Sequence, residues 1–110
     1  MLFRSYLYTN GSGTPISGNF TTGDINNVPR SGYTSIFSAE IVDILDYTNT
    51  NKYKTVRNLS GLDDNSTNGV VSLSSGLWQS TTAISSIKLF DESGYDFSQY
   101  SRFSLYGIKG

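Results

Sequence analysis

Turn-forming residues punctuate this chain closely, and the runs between them are short, β-branched and aromatic. Thr9 to Ser31 carries Asn10-Gly11, Gly13, Pro15, Gly18, Gly23, Asn26, Asn27 and Pro29, Gly61 to Gly69 reads GLDDNSTNG, and Asp91 to Gly94 reads DESG. Each interrupts regular structure by its own route: Gly admits positive φ, Pro lacks a donor, and Asn and Asp bond their own backbone. With 11 Gly, 36% hydrophobic and only 15% charged residues, the composition suits short strands joined by loops and disfavours helix. The length of 110 residues suits one domain with one core. It divides into a turn-rich N-terminal part, 1–32, and a more apolar part, 33–110.

The runs themselves read as strands. Leu2 to Tyr8 alternates, with Leu2, Arg4, Tyr6 and Tyr8 on one face and Phe3, Ser5 and Leu7 on the other. A short strand is expected at Ile16 to Thr22 around Phe20. Tyr33 to Tyr47 is the most apolar stretch and places Ile36, Phe37, Ile41, Val42, Ile44 and Leu45 on both faces of any register. That implies a strand buried on both sides or one that is bulged. A helix through Ser38 to Asp46, with Ala39, Val42 and Leu45 on one side, is the alternative. Asp46 to Asn51 then reads as a turn, Lys52 to Leu59 as a strand, and Val70 to Leu73 as a strand leading to Trp78. Strands at this spacing predict an all-β, single antiparallel β-sandwich.

The last third repeats the pattern. Ile84 to Phe90 and Arg102 to Ile108 mix aliphatic, aromatic and short polar residues, with the DESG turn and the aromatics Tyr95, Phe97 and Tyr100 between them. This predicts two paired strands with a loop folded back on the sheet, and a final strand that ties the C-terminus into it. The expected core is Trp78, Ile84, Ile87, Leu89, Phe97, Phe103, Leu105 and Ile108.

The segment GLWQSTTAISSIKLF, followed by a Tyr/Phe-containing loop and SRFSLYGIKG, resembles the C-terminal signature of small β-sandwich proteins and domains in tailed-bacteriophage virions. IVDILDYTNTNKYKTVR, Ile41 to Arg57, is similar to the part that precedes it. The resemblance covers Tyr33 to Gly110 well and Met1 to Gly32 poorly. It rests on aromatic and aliphatic residues at strand spacing. What it implies is a jelly-roll-like fold and a virion setting on either head or tail, with no active site carried over.

Composition narrows the chemistry. The chain has no His and no Cys, so the commonest general base, the thiol nucleophile and the preferred zinc, copper and haem ligands are missing. No disulfide framework is possible. Eight Lys and Arg against nine Asp and Glu offer no concentrated basic face for nucleic acid. The nearest cluster, Lys52, Lys54 and Arg57, is split by the pleat, with Arg57 opposite the two lysines. No segment approaches the length of a membrane span. The apolar start, MLFRSYLYTNGSG, is too short and too aromatic for a signal peptide. A soluble, unprocessed protein incorporated into a virion in the bacterial cytoplasm is therefore expected.

Three candidate chemistries remain. Paired carboxylates could run glycoside hydrolysis, but Asp91 and Glu92 are adjacent and point apart, while Glu40 and Asp43 fall on opposite faces unless a bulge intervenes. Charges that discourage edge pairing explain them as well. Asp63, Asp64, Asn65 and Asn68 could gather around calcium, although they lack EF-hand spacing and match ordinary turn composition. Trp78, Tyr95 and Tyr100, with Gln79 and Gln99, could form a sugar-binding platform, or Trp78 could fill the core while the tyrosines close one end of the sandwich. The Asn-X-Ser/Thr sequons at Asn19, Asn58 and Asn65 are expected by chance in so Asn- and Ser-rich a chain.

The expectation is a non-enzymatic virion structural protein without cofactor or metal. A head decoration or cement protein that binds other virion proteins, either the major capsid protein or tail proteins, and forms a homo-oligomer such as a trimer fits best. Tyr6, Tyr8 and Phe20, with the turn-rich segment around them, are the expected contact residues. The alternative is a tail-associated adhesin that touches host glycans.

Overall fold

A computed structural model describes residues 2–9, 14–21, 36–63, 69–91 and 94–108. The described residues hold five strands and no helix: β1 (Leu2–Thr9), β2 (Ile16–Phe20), β3 (Ala39–Leu45), β4 (Lys54–Leu62) and β5 (Val70–Trp78). They form one antiparallel sheet in the order β2-β1-β5-β4-β3. β5 lies at its centre between β1 and β4, with β2 and β3 at the edges. The protein is thus all-β and antiparallel, as its turn spacing implies. The expected second layer of a sandwich is not formed among the described residues, because every strand belongs to the same sheet.

Each strand arises where apolar or β-branched residues fall between turn signals. The helical alternative at Ser38 to Asp46 gives way to β3, whose residues pair without interruption from Ala39↔Gly61 to Leu45↔Thr55. Ile, Val and Leu in β3 gain more from cross-strand packing than from a lone helical stripe. A tight turn closes β3 to β4: Asn49 N–H donates to Asp46 O at 3.0 Å, and Asp46 sits at φ 56°, a left-handed position that Asp tolerates better than most residues. Asn51 N–H donates to the Asn49 side chain at 2.8 Å, so the turn is held by its own amides.

Register fixes which side chains share a face, since directly paired residues point the same way. One face carries Tyr6 and Tyr8 of β1, Ser72, Ser74 and Gly76 of β5, and Lys54, Val56, Asn58 and Ser60 of β4. This is the buried face of the central strands, and it is mostly polar or small: Val56 is the only buried hydrophobic residue among those described, beside buried Lys54, Asn58, Ser60, Ser72 and Ser74. Tyr6 and Tyr8 lie side by side, with ring centroids 5.8 Å apart. Tyr6 also crosses to the edge strand, where a Cβ on its partner Gly18 would stand 2.6 Å from the Tyr6 hydroxyl oxygen. Glycine at 18 is what lets the ring lie flat on β2.

The final third departs most from expectation. After Trp78 the described residues form no strand, so the predicted strands Ile84–Phe90 and Arg102–Ile108 are not paired. Ile87, Leu89, Phe97, Phe103, Leu105 and Ile108, expected in the core, are all more than half exposed, while Trp78 and Ile84 are half-buried. A strand needs a neighbouring edge for its N–H and C=O groups, and among the described residues none lies paired beside this segment. Where the DESG turn is expected, Gly94 N–H donates to Asp91 O at 3.0 Å, with Gly94 at φ 79°.

Candidate functional site

The outer face of the sheet carries what the inner face lacks. In register across four strands stand Leu7, Leu73, Leu59 and Ile41, exposed by 47%, 53%, 52% and 67% respectively. At strand spacing of about 4.8 Å, such a row is about 14 Å wide. Val71, two residues along β5 from Leu73, extends it and is also more than half exposed. Exposed single leucines are ordinary on protein surfaces; here four aliphatic side chains stand side by side across four strands.

The next row on that face is polar and self-satisfied. Ser5, Ser75, Arg57 and Asp43 follow one another across the strands. Arg57 Nε donates to Asp43 Oδ2 at 2.9 Å, and the Ser5 and Ser75 hydroxyls share a hydrogen bond of 2.9 Å. Both partners of the ion pair are well exposed, so it contributes little to stability. The two opposite charges beside the aliphatic row are thus paired with each other.

Lys54 organises the opposite end of the sheet. Its side chain is fully buried, and its ammonium donates to three backbone carbonyls: Asn49 O, Lys52 O at 2.8 Å and Thr81 O at 3.1 Å. Three acceptors match the three N–H donors of an ammonium, which is how a charge of this kind is tolerated away from water. Two of these carbonyls belong to the β3–β4 turn and the third follows β5. Ile84 N–H adds a second tie, donating to Tyr47 O at 2.8 Å. The lysine therefore clamps the start of the last segment onto the turn and is not part of a basic surface. Arg57 points to the other face, as the pleat requires.

Beyond that clamp the segment is organised locally. Phe97 and Phe103 meet edge to face, with centroids 4.8 Å apart, across a turn in which Ser101 N–H donates to Ser98 O at 3.1 Å. Tyr100 sits in that turn at φ 73°, a left-handed conformation that costs an aromatic residue about 1–2 kcal/mol. Past the turn, Leu105, Tyr106 and Ile108 are 85%, 82% and 85% exposed. These are the most exposed large apolar side chains described, and they stand in a stretch with strand-forming sequence.

The other sequence candidates are not brought together. Glu40 and Asp43 face opposite sides of β3, since Glu40 pairs with Ser60 and Asp43 with Arg57 in an unbulged register. Of the calcium candidates, Asp64, Asn65 and Asn68 lie outside the described residues, as does Glu92. Among the described residues no three Asp or Glu side chains cluster as metal ligands would. Trp78 ends β5 on the face of Lys54, whereas Tyr95 and Tyr100 are exposed on the last segment. Tyr6 and Tyr8 are half-buried within the sheet, and Phe20 lies in β2 opposite Arg4. The aliphatic row escaped the sequence reading because it joins residues from four strands, and only cross-strand register brings them together. Its one signal was the alternation of Leu7 away from Tyr6 and Tyr8.

No protein-family model, no curated protein and no solved structure matches this chain.

Proposed function

We propose that this protein is a non-enzymatic structural component of a tailed-phage virion, a head decoration or cement protein that works by adhering to its neighbours. The observation that carries the adhesive part is the exposed aliphatic row Leu7–Leu73–Leu59–Ile41, joined by the exposed Leu105, Tyr106 and Ile108. Surface of this kind is stabilised by contact with protein. The virion setting rests on the resemblance of Tyr33 to Gly110. A protein that binds only assembled neighbours stabilises them by mass action, and weak contacts repeated around a shell sum to a large effect.

Quantitative mass spectrometry of gradient-purified particles tests this reading. The expected result is many copies per particle, in fixed ratio to the major capsid protein. Confinement of the chain to the soluble lysate would count against it. One further observation favours a second reading, a tail adhesin for host glycans: Tyr95 and Tyr100 are exposed by 69% and 80%, with Gln99 exposed beside them. Titration with host surface polysaccharide separates the two, since saturable binding lost in Tyr100→Ala supports the adhesin.

A further inference from the structure

We propose that the Lys54 ammonium is a latch: it holds the chain after β5 against the β3–β4 turn, and its loss frees residues 79–108 while the five-stranded sheet stays paired. The inference concerns the chain alone and does not rest on the virion reading. Position is the first support. Lys54↔Trp78 is the terminal pair of β4 and β5, and Lys54 lies one residue beyond the last β3 pair, Leu45↔Thr55. The backbone of Lys54 thus ends the ladder, while its side chain is fully buried.

The oxygens around the ammonium fall into two groups. Asn49 O and Lys52 O belong to a turn that closes on itself, through Asn49 N–H to Asp46 O and Asn51 N–H to the Asn49 side chain. Thr81 O, 3.1 Å from Nζ, comes from beyond the sheet. The turn therefore offers two acceptors whether or not the last segment is docked, and Thr81 completes the three that an ammonium needs. A buried charge short of an acceptor is costly, and a hydrogen bond from a charged donor is stronger than a neutral one. Docking of Thr81 is the step that this charge favours.

The segment is shaped for that step, and its backbone ties to the turn lie close together. Ser80 N–H donates to Trp78 O at 2.8 Å and Thr82 N–H to Ser80 Oγ at 3.2 Å, so the residues on either side of Thr81 are turned locally. Ile84 N–H adds its bond to Tyr47 O at 2.8 Å. Past Ile84, the backbone–backbone bonds among the described residues close local turns, Gly94 to Asp91 and Ser101 to Ser98. The ties to the turn are thus gathered between Thr81 and Ile84, where one side chain governs them. A segment held in this way opens as a unit of its own, below the free energy of global unfolding.

The test is hydrogen exchange on the full chain, read amide by amide by NMR. In the wild type, Ile84 N–H is expected to be protected yet to exchange about tenfold faster than the most protected amides of β4 and β5. Lys54→Met keeps most of the side chain's length without the donor. It should speed exchange at Ile84 about tenfold further while circular dichroism retains the β signal. In Lys54→Ala, n-propylammonium chloride replaces the lost methylenes and the charge and should recover protection at Ile84, whereas 1-propanol at the same concentration brings no charge and should not. The inference is overturned by an Ile84 amide that exchanges only through global unfolding, by an exchange rate there that Lys54→Met leaves unchanged, by loss of the β signal in either variant, or by propylammonium doing no better than propanol.

Discussion

The central pair β4 and β5 and the segment 79–108 are built from the same kinds of residue, yet only the first is a strand pair. VVSLSSGLW in β5 and ISSIKLF at Ile84 to Phe90 both alternate aliphatic with small polar side chains. β5 has an edge on either side, β1 and β4, and among the described residues the later segment has none. Strand propensity describes fitness for a pleated surface and does not supply the surface. The difference teaches that strand-forming sequence becomes strand only where an edge is placed beside it to pair with.

The largest expected effect falls on the residue that joins the two regions. Lys54→Met removes the donor for three carbonyls and should lower stability by about 3 kcal/mol in urea unfolding. A loss under 1 kcal/mol would show that the clamp is incidental. On the sheet side, Gly18→Ala forces the Tyr6 ring off β2 and should cost about 1–2 kcal/mol. Most of that loss should vanish in a Tyr6→Leu background, and simple additivity of the two changes would refute the contact.

Smaller effects sharpen the contrast. Ser60 is buried, and its hydroxyl has no hydrogen-bond partner among the described residues, so Ser60→Ala should raise stability by about 1 kcal/mol. In the other region, Tyr100→Gly relieves the left-handed backbone at φ 73° by about 1 kcal/mol locally. Because that turn is not part of the sheet, the gain should appear as slower hydrogen exchange at Ser101 N–H and not in the midpoint of urea unfolding. A shift of that midpoint would mean that the two regions unfold together. Arg57→Ala, which breaks an exposed pair, should cost about 0.5 kcal/mol or less, and less still at high salt.

Much of the fold was legible in residue order. The alternation of Leu2 to Tyr8, the anchor at Phe20 and the run after Val70 each correspond to an observed strand, because period-two patterning between turn residues is local information. The faces of Glu40 and Asp43, and of Lys54 and Arg57, followed from parity alone. The core did not follow, for the rule that large apolar residues lie inside presumes a second layer. Here the inner face is lined by Ser, Asn and one Lys while the leucines face out. The candidate site was legible only in pieces, since Leu7, Ile41, Leu59 and Leu73 are far apart in the chain.

By itself, residue order determined that this protein is built of short antiparallel strands and where its turns fall, since glycine, proline and asparagine act on their immediate neighbours. Only the tertiary structure decided which strands pair, which face is closed and which stretch of strand-like sequence is left over. Hydrogen-bond partners and apolar neighbours are supplied across the sheet by residues distant in sequence, and no local pattern specifies them.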